Sequence, residues 1–157
     1  MIFSLSEIST VGASFEDDVR AYAAAGFDGI GIWEMKLGHD EADLRTLRSA
    51  GLRATNCVPN VPSILPNAVI DGPDDVEERV ESMCASLRRL ARFEPDCVLC
   101  LTGGAGEREE VEAREIVVDG LRRLAATADG AGVRVGLEPI HASQRDGLTL
   151  VTTIPET

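Results

Sequence analysis

Aromatic residues are scarce in this chain, with one Trp, one Tyr and four Phe among 157 residues, so aliphatic side chains must supply most of any core. Histidine is scarcer still. His39 and His141 are the only two, which excludes a multinuclear zinc centre built from these residues alone. No apolar run approaches the length of a membrane span, and the opening MIFSLSEIST has neither the basic start nor the apolar core of a signal peptide. Positive charge is in deficit, 15 Lys and Arg against 27 Asp and Glu, for a net charge of −12. That balance repels phosphate backbones and anionic lipid, so neither nucleic acid nor a membrane surface is an expected partner. A cytoplasmic location is the default expectation.

What the chain does hold is ordinary globular composition, 44% hydrophobic and 27% charged. Cys57, Cys97 and Cys100 lie in strand-like runs and Cys84 in a helical one. Cys97-Val-Leu-Cys100 has the spacing of a redox or zinc pair. In a strand, however, residues three apart point to opposite faces, whereas zinc pairs sit on turns where the thiolates converge. Buried, reduced cysteines are expected.

Two hydrophobic periods alternate along the chain. Strand-like runs occupy residues 2–5, 30–33, 52–58, 97–101 and 133–137. Between them Ser14, with Asp17 three residues on, opens a helix whose inner face is Phe15, Val19, Tyr22 and Ala23. Asp40 starts a second helix, with Leu44 and Leu47 inward. A third is expected over 74–93 and a fourth over 109–131. Ala25-Gly26-Phe27, Ala50-Gly51-Leu52 and Ala131-Gly132-Val133 each end a helix and launch an apolar strand. Residues 59–66, rich in proline, are expected to be irregular. Apolar strands alternating with helices indicate a parallel sheet covered by helices. Five such units suit a doubly wound sheet or part of a (β/α)₈ barrel, which needs about 250 residues. Thr153-Ile-Pro155-Glu156-Thr157 reads as the start of another helix, which favours the barrel. The expectation is therefore a partial (β/α)₈ TIM barrel: a single incomplete domain over 1–157, ending at the start of its fifth helix.

In such folds function gathers at the carboxyl ends of strands. The residues there are Ser6 and Glu7, then Trp33, Glu34 and Lys36, then Asn56, then Thr102, and last Glu138, His141 and Arg145. Glu138 is the most informative. It ends an apolar strand, and Pro139 stops the ladder from continuing. A carboxylate at a barrel mouth can bind a divalent ion or move a proton; a structural ion pair is the alternative at this position. The glycine-rich loop 102–106 lacks the Lys-Ser/Thr of a P-loop. Glu109, Glu110 and Glu112 suit the positive end of the fourth helix.

Gly26-Phe-Asp-Gly-Ile-Gly-Ile-Trp33-Glu34, Leu52-Arg-Ala-Thr-Asn56 and above all Gly136-Leu-Glu138-Pro139-Ile-His141 resemble the sugar phosphate isomerase/epimerase family with a xylose isomerase-like barrel. The resemblance runs over the whole chain, matched to the first five βα units. It implies that Glu138 is the first of four ligands to one divalent ion. The others, an Asp, a His and a second Glu, come from strands six to eight, which lie outside these residues. Mn²⁺, Mg²⁺ or Co²⁺ suits such an oxygen-rich site, and Zn²⁺ is compatible. The implied chemistry is isomerisation or epimerisation of a sugar or sugar-like hydroxy-ketone through an enediolate, with Glu138 also an acid/base group. Trp33, Glu34, Asn56 and Thr102 would line the carbohydrate pocket, and His141 and Arg145 would bind hydroxyls or a terminal charge. Three alternatives stand beside it: dehydration of an inositol-derived ketone, a non-catalytic half-barrel, and abasic-site cleavage by fold analogy, which the −12 charge opposes. This chain by itself is expected to be inactive. Its unpaired strand edges are compatible with a homo-oligomer.

Overall fold

The computed structural model describes residues 1–157, the Asp146 side chain apart. Strands β1 (Ser4–Ser6), β2 (Gly29–Trp33), β3 (Arg53–Val58), β4 (Cys97–Cys100) and β5 (Val135–Leu137) form one sheet in the order β1-β2-β3-β4-β5. All four pairings are parallel. Helices α1 (Phe15–Ala25), α2 (Asp40–Ser49), α3 (Val76–Leu90) and α4 (Glu110–Ala131) connect them, and a short α5 (Arg145–Leu148) follows β5. Sequential order with a helix in every crossover is the open arc of a (β/α) barrel, as the periodicity predicts.

Local chemistry sets the boundaries. The Ser14 hydroxyl accepts from the Asp17 N–H at 3.2 Å and donates to the Asp17 carboxylate at 2.8 Å, and Asp75 accepts from the Glu78 N–H at 2.9 Å. Strand β1 lies two residues later than its apolar run suggests, because its pairing partner Gly29–Gly31 sets the register. That leaves Ile2 and Phe3 half or more exposed at the amino end. Thr153 and Glu156 close a reciprocal cap over a single 3-10 turn, Ile154–Glu156.

In β2, β4 and β5 every second residue packs against the helix-side core. Ile30, Ile32, Val98 and Cys100 are buried in the core between sheet and helices, with Val135 and Leu137 packed against it. There they meet Phe15, Val19, Leu47, Met83, Leu87 and Leu124. The opposite face, which would be the barrel lumen, carries Gly29, Gly31, Trp33, Cys97, Leu99 and Gly136. In β3 a bulge opposite Ile30/Gly31 inserts Thr55, so that Thr55 and Asn56 both fall on the lumen face. The cysteines follow the same parity. Cys57, Cys84 and Cys100 are buried, Cys97 is half-buried on the other face, and all four are free thiols. Burial pushes the Cys100 thiol up to about 12, so it stays protonated and unreactive at neutral pH.

The proline-rich segment forms no helix or strand, as expected, and touches the sheet through one isolated bridge, Ser63 to Leu101. Its prolines leave the donors at 64 and 65 free, and Ile64 N–H and Leu65 N–H bond the carbonyls of Leu101 and Thr102 at 3.1 and 2.8 Å. Leu101 N–H returns to Pro62 O at 2.7 Å. The segment thus runs as a strap beside the carboxyl end of β4. Ile64 seats where a Cβ on Gly120 of α4 would come within 2.9 Å of it.

Candidate active site at the carboxyl ends of the strands

Strand parity sorts the residues at the barrel mouth. In β2 the core-facing Ile32 is followed by lumen-facing Trp33, so Glu34 returns to the helix side. Glu34 is buried, and its Oε2 accepts from the Asn60 N–H at 2.9 Å and the Ser86 hydroxyl at 2.6 Å. Its Oε1 meets the Arg89 guanidinium at 3.3 Å. This carboxylate is committed to holding the strap and α3 against β2. From sequence Glu34 is expected in the sugar pocket; in the structure parity turns it, one step past Trp33, toward the helix side.

Thr102, also expected at the pocket, lies inside as well. It is fully buried, donates to Gly103 O at 2.9 Å and accepts from the Leu150 N–H at 2.7 Å, with Thr149 Oγ1 at 3.3 Å. It ties the segment after β5 to the end of β4 and has no hydroxyl left for a ligand.

Trp33, Asn56 and Glu138 fall on the open face. Asn56 lies across Gly31, where a Cβ would meet its Oδ1 at 2.7 Å, so only glycine leaves room for the amide there. Glu138 continues β5 by one rung, its N–H donating to Cys100 O at 3.0 Å, and alternates with core-facing Leu137. Its side chain is exposed because the five-stranded arc leaves the lumen uncovered. His141 and Arg145 stand in the loop beyond. His141 Nδ1 accepts from the Ser143 N–H at 3.2 Å and caps a 3-10 turn. Arg145 donates to Glu110 Oε1 at 2.9 Å, and Arg114 and Arg145 together hold the Glu110 carboxyl below the usual carboxylate range.

One carboxylate stands out that its position after the first strand only suggested. Glu7 is fully buried on the helix side of β1. Its Oε2 accepts from the Trp33 N–H at 2.8 Å, and its Oε1 is the one buried side-chain oxygen without a hydrogen-bond partner among the described residues. Desolvation pushes the Glu7 carboxyl up to about 7, against the opposing pull of the Trp33 N–H and of Lys36. The partners lie 11 to 29 residues away, which is why sequence position alone does not reveal the cluster.

Among the described residues no group of three or more His, Cys, Asp or Glu is placed to hold a metal ion. Glu138 offers oxygen donors that suit a hard divalent cation, but the described residues do not complete such a site.

A parallel (β/α) arc with a carboxylate on its lumen face defines the class, a barrel scaffold of the kind that carries its chemistry at the carboxyl ends of strands. A family model described as Xylose isomerase-like TIM barrel matches residues 19–156, and the chain belongs to that family. Comparison with curated proteins yields no match. Among solved structures, 3-keto-D-glucoside 4-epimerase YcjR from E. coli is similar at 19% identity and TM-score 0.77, over 99% of this chain and 62% of that one. The probable 3-DHS dehydratase AsbF of Bacillus anthracis is similar at 19% identity and TM-score 0.70, over 99% of this chain and 56% of that one. The IOLI protein, solved with a bound zinc atom, is similar at 18% identity and TM-score 0.69, over 87% of this chain and 51% of that one. The chain thus spans between 51% and 62% of these three neighbours, and at these identities the likeness is one of fold.

Proposed function

We propose that these residues form five βα units of a metal-assisted isomerase or epimerase acting on a sugar or sugar-like hydroxy-ketone, with Glu138 as the carboxylate that moves the proton. The observation that carries this reading is parity. Of the carboxylates immediately following a strand, Glu7 and Glu34 are buried on the helix side, and Glu138 alone falls on the open lumen face. A base there reaches a carbon-bound proton next to a substrate carbonyl, and its conjugate acid returns the proton to a neighbouring carbon or the opposite face. Trp33 supplies an apolar wall for a sugar ring, and the Asn56 amide supplies a donor and an acceptor for hydroxyls. A divalent ion, with most of its donors from outside these residues, would polarise the carbonyl and acidify the adjacent C–H.

The neighbours' printed names, an epimerase and a probable dehydratase, suit reactions that begin with the same proton abstraction. Loss of water is the second reading, distinguished by an unsaturated product. The test is deuterium incorporation from D₂O into a panel of ketoses by the complete barrel with Mn²⁺. Label at the carbon beside the carbonyl, lost on the order of 10³-fold or more in Glu138→Gln, is the expected result. Incorporation indifferent to that substitution would overturn the assignment. This chain alone is expected to show no tight Mn²⁺ site by calorimetry.

A further inference from the structure

The least explained group in the molecule is the acid beneath Trp33. Glu7 bonds the Trp33 N–H through one oxygen and leaves the other unpaired in the interior. Lys36, the only lysine of the chain, stands 4.0 Å from that second oxygen but is engaged elsewhere. Its Nζ donates to Asp18 Oδ2 at 2.6 Å and to Thr10 O at 2.8 Å. Asp18 is itself 2% exposed. Tyr22, from the same helix, bonds Thr10 Oγ1 at 2.6 Å and Ser6 O at 3.4 Å. The groups facing Glu7 are therefore Lys36 from the turn after β2, Asp18 and Tyr22 from α1, and the Cys57 thiol from β3.

Two buried carboxyls share one buried ammonium. If both were ionised the cluster would carry a net negative charge with no water to solvate it, a costly state in the interior. A single proton on Glu7 balances the set, which agrees with burial raising that carboxyl to about 7. Removing the proton leaves a second anion for which Lys36 is the nearest cation. Drawing Lys36 toward Glu7 weakens its hold on Asp18 and Thr10. Lys36 sits three residues after Trp33 in one continuous strand-and-turn, and Glu7 itself holds the Trp33 N–H, so the cluster is joined to the Trp33 backbone both through the chain and by a hydrogen bond.

We propose that Glu7 is a positioning residue for Trp33, and that the Glu7–Asp18–Lys36 cluster is a proton-linked tie setting the place of the indole at the barrel mouth. The importance of that place for sugar binding rests on the function proposed above. The tie itself does not, and it is tested without any sugar.

Trp33 is the sole tryptophan, so intrinsic fluorescence reads this one position. Titration of the chain from pH 5 to 9 is expected to shift the emission with a one-proton midpoint near neutrality while far-UV circular dichroism stays constant. Glu7→Gln keeps the shape of the protonated acid and the acceptor for Trp33 N–H. It is expected to abolish the transition and hold the emission of the low-pH form. Asp18→Asn removes the competing anion, frees Lys36 for Glu7, and is expected to lower the midpoint by about one pH unit or more. Emission invariant with pH in the unmodified chain would overturn the proposal. So would a transition that survives Glu7→Gln, or one that tracks a loss of helical signal.

Discussion

A carboxylic acid shut away from water with one oxygen unpaired makes stability depend on pH in an unusual direction. The folded-state value of Glu7 lies near 7 and its ordinary value at 4.5, so between those limits the folded chain holds a proton that the unfolded chain has released. Stability from this group is fully present below about pH 4.5 and is lost as pH rises through about 7, the opposite of the usual salt-bridged carboxylate. Glu7→Gln is expected to be more stable than the unmodified chain at pH 8 by on the order of 1–3 kcal/mol and indistinguishable from it near pH 4.5. Urea midpoints measured across that range check both ends. The same residue shows where sequence reading stops. Glu7, Glu34 and Glu138 are alike as acids that follow an apolar strand, and a slip of one residue decides whether each meets helix or lumen. For Glu34 the deciding partners, Ser86 and Arg89, are 52 and 55 residues away.

At the scale of elements the chain is far more legible, because the period of its apolar residues is a local property. The four crossover helices and five strands fall where the 3.6- and 2-residue patterns put them, with ends displaced by a few residues where pairing or capping rules. The strap between β3 and α3 is the exception, since its order comes from groups outside it. Arg79 of α3 is 1% exposed, and its guanidinium donates to Ser63 O at 2.9 Å, Ser63 Oγ at 2.7 Å and Pro73 O at 2.8 Å. Ser63 Oγ also accepts from Asn67 Nδ2 at 2.7 Å, and Asn67 Oδ1 accepts from the N–H groups of Val69 and Ile70. Arg79→Met fills the space and strands these acceptors. It is expected to cost about 2–4 kcal/mol and to accelerate amide exchange across 63–75 more than elsewhere. Gly103 pins the strap from the other side. Its φ is +76°, and a Cβ there would come within 2.2 Å of Leu65 O. Gly103→Ala must move backbone rather than a side chain, so a loss of roughly 2 kcal/mol or more is expected by chemical denaturation.

For the whole molecule the decisive fact is that a barrel protects a parallel sheet only when it closes. Here β1 and β5 each pair on one side, which leaves two rows of backbone donors and acceptors without strand partners. The outer surface of α4 has the same character, with Val111 and Val118 at 71% and 43% exposure and spaced to lie on one helical stripe. In β5, Val135 and Leu137 pack against the core but are only partly covered. All of these lie on the β5 side of the arc, where the next βα unit of a barrel would pack. The net charge of −12 opposes contact between copies but acts weakly at physiological salt. The isolated chain is therefore expected to self-associate more as salt is raised, since screening removes the repulsion and leaves the apolar contact. Sedimentation velocity at low and high ionic strength reads this directly. Replacing Val111 and Val118 together by Glu should shift the distribution toward monomer at high salt with the helix content intact. If the unmodified chain stays monomeric at high protein concentration in both salts, the uncovered α4 and β5 surface is not adhesive, and charge repulsion is not what keeps the sheet edges apart.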